Sequence, residues 1–525
     1  MDEQQQFPAQ HRPLSRRHLL QAAAAASAVG IAASTLPVSA AQGDVSDAAS
    51  DPTPDIEELN IVAQTALAPP TERDSNSYWQ EIEKRLGCRL NFNFTPNSDY
   101  TAKIATVLAS GDLPDLMNGP YANPTVQRAI TDGAFMKIED LGLPEDTHDY
   151  PGLNTIPDFV WKNGAFNGTL VGLPTPGQRY QQASFIRQDW LDALGLDVPE
   201  TTEDLLAVLQ AFTNDDPDGN GQADTIGFTI ANDRQGWQLF TESYGLPNNW
   251  TVDEAGNLTS MDISPQMKDA LAYMREVYAA GVLNRDFPAL NLSDLKQEFV
   301  SGISGGYNSN LASGYDLEGA GLREVVPTAV VYPITPPKAE GHEIVTWNRS
   351  GVNATTVIHN KYGDNADLAW QVLKVLDFWL DPATFDFVNF GFEGEHYTLD
   401  ENGAMVQTDK GVADIGWIRA WCPRHYLEYV DAPYVTPEHK EQIKLDTARL
   451  AAFATDNPTW GLYPELGSDN PSAELEDFAT NTFERIIRGE EDLESFDDFV
   501  QEWLDRGGQT YTDALSDQYR EAHGL

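Results

Sequence analysis

The chain reads Arg187-Gln188-Asp189-Trp190-Leu191-Asp192-Ala193-Leu194-Gly195-Leu196, breaks at Pro199-Glu200-Thr201-Thr202, and resumes an apolar-periodic run to Asn214. It then passes through Asp215-Asp216-Pro217-Asp218-Gly219-Asn220-Gly221-Gln222-Ala223-Asp224 into Thr225-Ile226-Gly227-Phe228-Thr229-Ile230. The oxygen-bearing side chains of Asp216, Asp218, Asn220 and Asp224 recur at every second residue or its multiple, and Gly221 permits the tight reversal that turns them inward. Gln222 is placed to add a backbone carbonyl, which gives the loop the make-up of a calcium site. The first six positions follow the EF-hand pattern, but Gly227 stands at the twelfth, where a bidentate Glu belongs. Residues 225–230 alternate like a strand and not like a helix. The reading is a structural calcium loop inside another fold; the alternative is an Asx-rich turn without metal.

Helix and strand signals alternate on both sides of this stretch. Pro199 to Asp204 supplies a helix N-terminus with acids in its first turn. Upstream, Leu59 to Ala63 reads as a strand, Tyr78 to Leu86 as a helix stopping at Gly87, and Leu90, Phe92 and Phe94 as an alternating second strand. Tyr100 to Leu108 is a helix ended by Gly111. Strand–helix–strand order implies a parallel sheet, and ligands gather at the carboxyl ends of such strands, which puts Asn118 and Tyr121 on the edge of a cleft. Downstream, Ser264 caps a helix with Pro265 at its first position and Met267, Ala270, Leu271, Met274 and Val277 on one face. Val352 to Ile358 is a strand. Gly302-Ile303-Ser304-Gly305-Gly306 contains G-x-S-x-G, but a nucleophile elbow follows a strand and opens a helix, whereas here the helix comes first.

At 525 residues the chain exceeds what one core usually supports, so two lobes are expected. Its formal charge is −48, from 81 acidic and 33 basic residues, and such a surface repels nucleic acid and anionic membranes. Cys88 and Cys422 read as two buried thiols, with a bridge as the alternative. Ser15-Arg16-Arg17-His18-Leu19-Leu20 followed by the apolar run Ala22 to Leu36 and Val38-Ser39-Ala40 is a twin-arginine signal peptide over residues 1–40. Export to the periplasm or cell surface is expected. Residues 41–56 read as a disordered leader, and no lipobox cysteine follows the apolar run.

Several separated stretches carry a resemblance. Ala109-Ser110-Gly111-Asp112-Leu113-Pro114-Asp115 looks like an "ASGDLPD" motif, and Asn167-Gly168-Thr169-Leu170-Val171-Gly172-Leu173-Pro174 like "NGKIYGLP" with Val171 in place of an aromatic. Gly281 to Phe287 is similar to "LYxEGLIDxDF", the 299–305 turn to "FxSGkxa", and Phe390 to Tyr397 to "YGIEGxHY". Over residues 57–525 the chain resembles the long, oligosaccharide-binding solute-binding proteins of ABC importers, of the alginate-binding and LipO-like type. The resemblance implies an α/β, two-lobed periplasmic-binding-protein fold of type II, with three inter-lobe crossovers and a cleft between the lobes. One lobe is expected over 57–178 and 345–397, the other over 179–344 and 398–525. It also implies a monomeric partner of permease membrane subunits that closes on its ligand.

A sugar offers an apolar C–H face and a ring of hydroxyls, so its site needs flat aromatic platforms and fixed donors and acceptors. Expected sugar contacts are Asn118, Tyr121, Tyr180, Arg187, Trp237, Trp250, Tyr307, Trp347, Glu393, His396, Trp417 and Trp460. Arg187, Arg349 or Arg419 would favour an acidic glycan. Glu393 and Glu395, two residues apart in a Gly-rich loop, are not spaced across a glycosidic bond, so no catalytic residue is assigned. Two alternatives stand beside the binding protein: an exported calcium-stabilised hydrolase or lyase, and a peptide- or signal-binding protein.

Overall fold

A computed structural model describes residues 56–65, 69–147, 150–177, 179, 182–232, 234, 236–399, 405–416, 418, 435–464, 466 and 470–525. The expected signal peptide, the leader as far as residue 55, Tyr180, Trp417, Arg419 and Cys422 lie outside them, while Ile56, the last residue of the expected leader, packs in the first core.

The alternating apolar residues near the start form β1 (Glu58–Thr65), which pairs in parallel with β2 (Arg89–Pro96), Leu59 opposite Leu90. Between them runs helix Ser77–Leu86, capped by the Asn76 side chain on Trp79 N–H and ended at Gly87, whose φ of 66° a residue with a Cβ adopts only at a cost. Helix Asn97–Ser110 leads to β3 (Leu116–Asn118), parallel to β1. Next comes β4 (Gly172–Pro176). The period of two divides the sheet: Leu59, Ile61 and Ala63 enter one core, Val62 and Met117 the core on the other face.

The second sheet begins at β5 (Gln182–Arg187). Helix Thr202–Asn214 starts with a capping box between Thr201 and Asp204 and buries Leu205, Val208, Leu209 and Phe212. A hairpin follows, β6 (Trp250–Val252) with β7 (Leu258–Ser260), and then helix Pro265–Ala279 with Ser264 on Met267 N–H. The strands β8 (Gly306–Asn310) and β9 (Val331–Ile334) flank β5 antiparallel on either side. Trp190 meets Phe212 edge-on at 5.3 Å, and helices Ser472–Ile487 and Ser495–Trp503 pack onto the same core. A fully buried Phe212 contributes about 2 kcal/mol by leaving water.

β10 (Thr346–Trp347) leads into β11 (Val352–Ile358), which inserts antiparallel between β3 and β4 and completes the order β2-β1-β3-β11-β4. Two passages between the sheets lie side by side, with Gly177 N–H donating to Gly351 O at 2.7 Å and Arg349 N–H to Arg179 O at 2.5 Å.

The lobe boundaries differ from the sequence reading at two points. The return to the first lobe comes after β10, because β10 pairs with β14 (Ala454–Thr455) and Trp347 packs on the second core. The departure comes after Ile418 and not at 398. The hairpin β12 (Tyr397–Leu399) and β13 (Met405–Gln407) leads to helix Asp409–Ile415, whose Ile415 is buried in the first core. Asn76 Nδ2 donates to Asp414 O at 2.8 Å and Trp379 Nε1 to Ile418 O at 3.2 Å, which fastens this segment down. Val435 packs in a core of the second lobe, and the expected third crossover is not seen because residues 419–434 lie outside the described residues. No helix among the described residues is long and apolar enough to cross a membrane.

Candidate functional site

A cavity of about 320 Å³ opens where the first two passages meet the second lobe. β5 contributes Gln182 from its first position and β8 contributes Asn308. Asn348 and Arg349 come from the passage after β10, Asn248 and Asn249 from a loop, and Trp237 and Trp347 supply indoles. Arg234 and Glu476 bring charge, though Arg234 is held by Asp262 at 2.7 Å. Arg349 is exposed and has no carboxylate within ion-pair distance among the described residues. A wall of amides, two indoles and one free guanidinium suits a ligand rich in hydroxyls.

This wall is fastened by a small set of bonds. Asn248 Nδ2 donates to Asn348 O at 2.7 Å and Thr455 O at 3.2 Å, and Asn348 Nδ2 to Asp456 Oδ1 at 2.7 Å. Arg179 pairs with the same Asp456. Trp347 Nε1 donates to Leu246 O at 3.0 Å, while its backbone N–H donates to Glu242 Oε1 at 3.1 Å. Past β14, the segment around Tyr463 touches both lobes. Tyr463 N–H donates to Asn167 Oδ1 at 2.7 Å, Asn167 Nδ2 to Tyr463 O at 3.0 Å, and Gln518 Nε2 to the same carbonyl at 3.1 Å. The Tyr463 ring stacks on Phe166 at 5.3 Å.

Of the residues expected to meet sugar, Trp237 and Trp347 line the cavity; Trp237 is nearly buried, its Nε1 donating to Ala231 O at 3.1 Å. Several others are placed elsewhere. Arg187 is at the far end of β5 from Gln182, about 16 Å away at 3.3 Å per residue, buried in an ion pair with Asp189 and over the Trp190 ring. Tyr307 points into the core and stacks on Phe299 at 3.8 Å, while its neighbour Asn308 lines the cavity. Trp250 packs against Tyr511, and Tyr121 packs edge-on against Phe166 and Tyr463. Asn118 is buried and accepts from Gln64 N–H at 3.3 Å. Glu393 is exposed on a turn of the first lobe, and Trp460 is half-buried in the loop before Tyr463. Gln182, Asn248, Asn308 and Asn348 carried no sequence signal; only the strand alternation at 307 and 308 would have pointed to one of them.

His396 is fully buried, and its Nδ1 accepts from Phe392 N–H at 3.0 Å, so Nε2 carries the proton and faces Asp414 Oδ2 at 3.4 Å. Glu395, His396 and Asp414 bring one donor atom each within 4.8 Å of one another, a spacing a metal could bridge. Lys410 Nζ already stands there, 2.5 Å from Asp414 and 3.6 Å from Glu395. Ser304 is buried between a helix and β8 with its Oγ donating to Gly306 O at 2.7 Å, which is no nucleophile elbow.

In the 215–224 loop the acidic side chains close around Asn220 and Gly221. Asn220 Nδ2 lies 2.8 Å from Asp218 Oδ2 and 3.2 Å from Asp224 Oδ1, and Gly221 N–H donates to Asp216 Oδ2 at 3.0 Å. Asp216 itself has a φ of 50°, and Gly219 and Gly221 also have positive φ. Two carboxylates turned onto the Asn220 amide and a third onto the Gly221 N–H, all in an exposed loop, are oxygen groups of the kind a hard cation takes.

The chain is 25% identical over 452 residues to the polygalacturonan/rhamnogalacturonan-binding protein YtcQ of Bacillus subtilis, spanning 84% of this chain and 88% of that protein. Among solved structures it is similar to the HMO-binding, ABC-transporter associated solute-binding protein of Bifidobacterium longum infantis. The TM-score is 0.67 at 16% identity, over 89% of this chain and 99% of that one. An EF-hand mutant of the Streptococcus pneumoniae substrate-binding protein FusA, in complex with fructo-nystose, superposes with a TM-score of 0.64 at 18% identity, over 89% and 100% of the two chains. The fold is that of the two-lobed, type II binding proteins. Residues 69–383 match the bacterial extracellular solute-binding proteins, and the chain belongs to that family.

Proposed function

We propose that this protein captures an oligosaccharide between its lobes and delivers it, unchanged, to the membrane subunits of an ABC importer. The cavity carries this reading: its amides and indoles match hydroxyls and C–H faces, and it stands where two inter-lobe passages meet. Closure of the lobes would create the composite surface a permease reads, so the loaded form is favoured at the membrane. The protein acts as an exported monomer. Arg349 leaves room for an acidic sugar, in keeping with the polygalacturonan named for YtcQ. The test is calorimetric titration with trigalacturonic acid, kestose, maltotriose, cellotriose and xylotriose. One of them binds with micromolar or tighter affinity and is recovered intact; cleavage of the bound sugar, or binding of none, would remove the reading.

Calcium is proposed for the loop, held by Asp216, Asp218, Asn220, Asp224 and the Gln222 carbonyl. The convergence of the side chains supports it, as does the EF-hand named for FusA. The ion would offset the repulsion of the carboxylates and tie the loop to the strand-like run after it. A chelator is expected to lower the melting temperature and calcium to restore it, since at a free concentration 100 times Kd a ligand adds about 2.7 kcal/mol. Asp218→Ala should abolish the difference; an unchanged melting temperature on chelation would leave the loop as a plain turn.

A further inference from the structure

We propose that Glu242 is a positioning residue for the binding cavity, holding Trp347 and the passage that carries it against helix Gln238–Ser243. The inference rests on the proposed cavity but reaches a residue that does not itself line it. Glu242 Oε1 accepts from Trp347 N–H at 3.1 Å, and its backbone carbonyl accepts from Val345 N–H at 3.1 Å. One residue thus grips β10 on either side of Thr346, by side chain and by main chain. From the same helix, Gln238 and Thr241 face the cavity, so the helix and the passage form one wall and Glu242 is the bond between them. The indole is fixed at its other end by Leu246 O, and Thr346 by Leu450 O at 2.9 Å.

The chemistry around Glu242 is unusual for a carboxyl. Burial pushes its pKa up to about 8, and only the Trp347 N–H opposes this. Helix Gln238–Ser243 carries no other charge. On the passage, Glu343 pairs with Lys338 and His342 with Asp269, and Arg349 is out at the cavity mouth. On helix Pro265–Ala279, Lys268 pairs with Asp497 and Arg275 with Asp492, while Tyr273 donates to Thr202 O. On β5, Arg187 is held by Asp189. Glu242 is therefore a neutral acid near pH 7, and a rise through about pH 8 places a charge in the wall with no cation among the described residues to meet it. The Trp347 N–H bonds the charged carboxylate more strongly, but the charge draws water into the wall, and the surroundings of the indole change with it.

The experiment is fluorine NMR on protein labelled with 5-fluorotryptophan, with the Trp347 signal assigned by Trp347→Phe and followed from pH 6 to 10 in the absence of sugar. The wild type should show one titration of this signal with a midpoint near 8. Glu242→Ala should displace or broaden the signal at every pH. Glu242→Gln, which keeps the acceptor and cannot ionise, should restore the wild-type low-pH position and show no titration. A Trp347 signal that ignores pH in the wild type, or is the same in Glu242→Ala as in the wild type, would overturn the proposal. The readout needs no sugar, so a failure to find a bound oligosaccharide counts against the transport reading alone. Where a sugar binds, Glu242→Ala should weaken it about tenfold and Glu242→Gln should recover the loss.

Discussion

Asp115→Ala is expected to cost about 3 kcal/mol of stability, read as a lowered urea midpoint with the slope unchanged. Asp115 is buried and its carboxylate accepts from Asn60 N–H at 2.7 Å, Tyr362 O–H at 2.6 Å and Lys361 Nζ at 2.5 Å. It also takes its place in the sheet, with Asp115 N–H donating to Asn60 O and His359 N–H to Asp115 O. Alanine would take the acceptor from the Asn60 N–H and leave the hydroxyl of buried Tyr362 without one, whereas half-exposed Lys361 could turn to water. Burial raises the Asp115 pKa, but the bonds from Asn60, Lys361 and Tyr362 outweigh it and leave the carboxyl below its ordinary 3.8. A depressed folded value stabilises above the unfolded value and is lost as pH falls through the folded one. The gap between wild type and Asp115→Asn should hold from pH 7 to 5 and close below about pH 4. A gap that persisted at pH 2 would show that shape, not charge, is what the site needs.

Trp347→Ala should weaken binding of whichever oligosaccharide the calorimetric panel identifies by about 2 kcal/mol, or about 30-fold in Kd. The indole is the half-buried aromatic of the cavity wall, while Trp237 is almost wholly enclosed. A platform aromatic at a desolvated site loses both contact area and the exclusion of water when truncated. Trp250→Ala supplies the contrast, because Trp250 packs against Tyr511 in the second lobe and lines no part of the cavity. It should lower the melting temperature and leave Kd alone. Equal losses of affinity in the two variants would point to a global effect, and Trp347 would lose its role.

Most of the architecture was legible because it rests on local rules. Strand alternation at 59–63 and 90–94, the Ser264-Pro265 start and the glycine stops at 87 and 111 each follow from a few neighbouring residues. The boundaries failed where a distant partner decides them. Residues 405–416 and Ile418 stay with the first lobe because Asn76 and Trp379 hold them, and neither bond has a signature in that segment itself. The site was harder still. Arg187 and His396 looked like ligand groups by residue type, yet Asp189 and the Phe392 N–H had already claimed them. Asn248 and Asn348 looked like loop residues, and only the folding of two passages onto each other brings them to one wall. Chemistry-bearing side chains announce themselves in a sequence; amides that converge from far apart do not.

The insertion of β11 between β3 and β4 bears on the order of assembly. Every strand of the three-stranded sheet lies between Gln182 and Ile334, whereas the five-stranded sheet stays split in two until Val352 to Ile358 has left the ribosome. Closing it spans the whole intervening chain, and long-range closures are slow. The lobe that comes first in the sequence is thus the one whose sheet is finished last, and pulse-labelled amide exchange should protect β5 and β8 before β3 and β4.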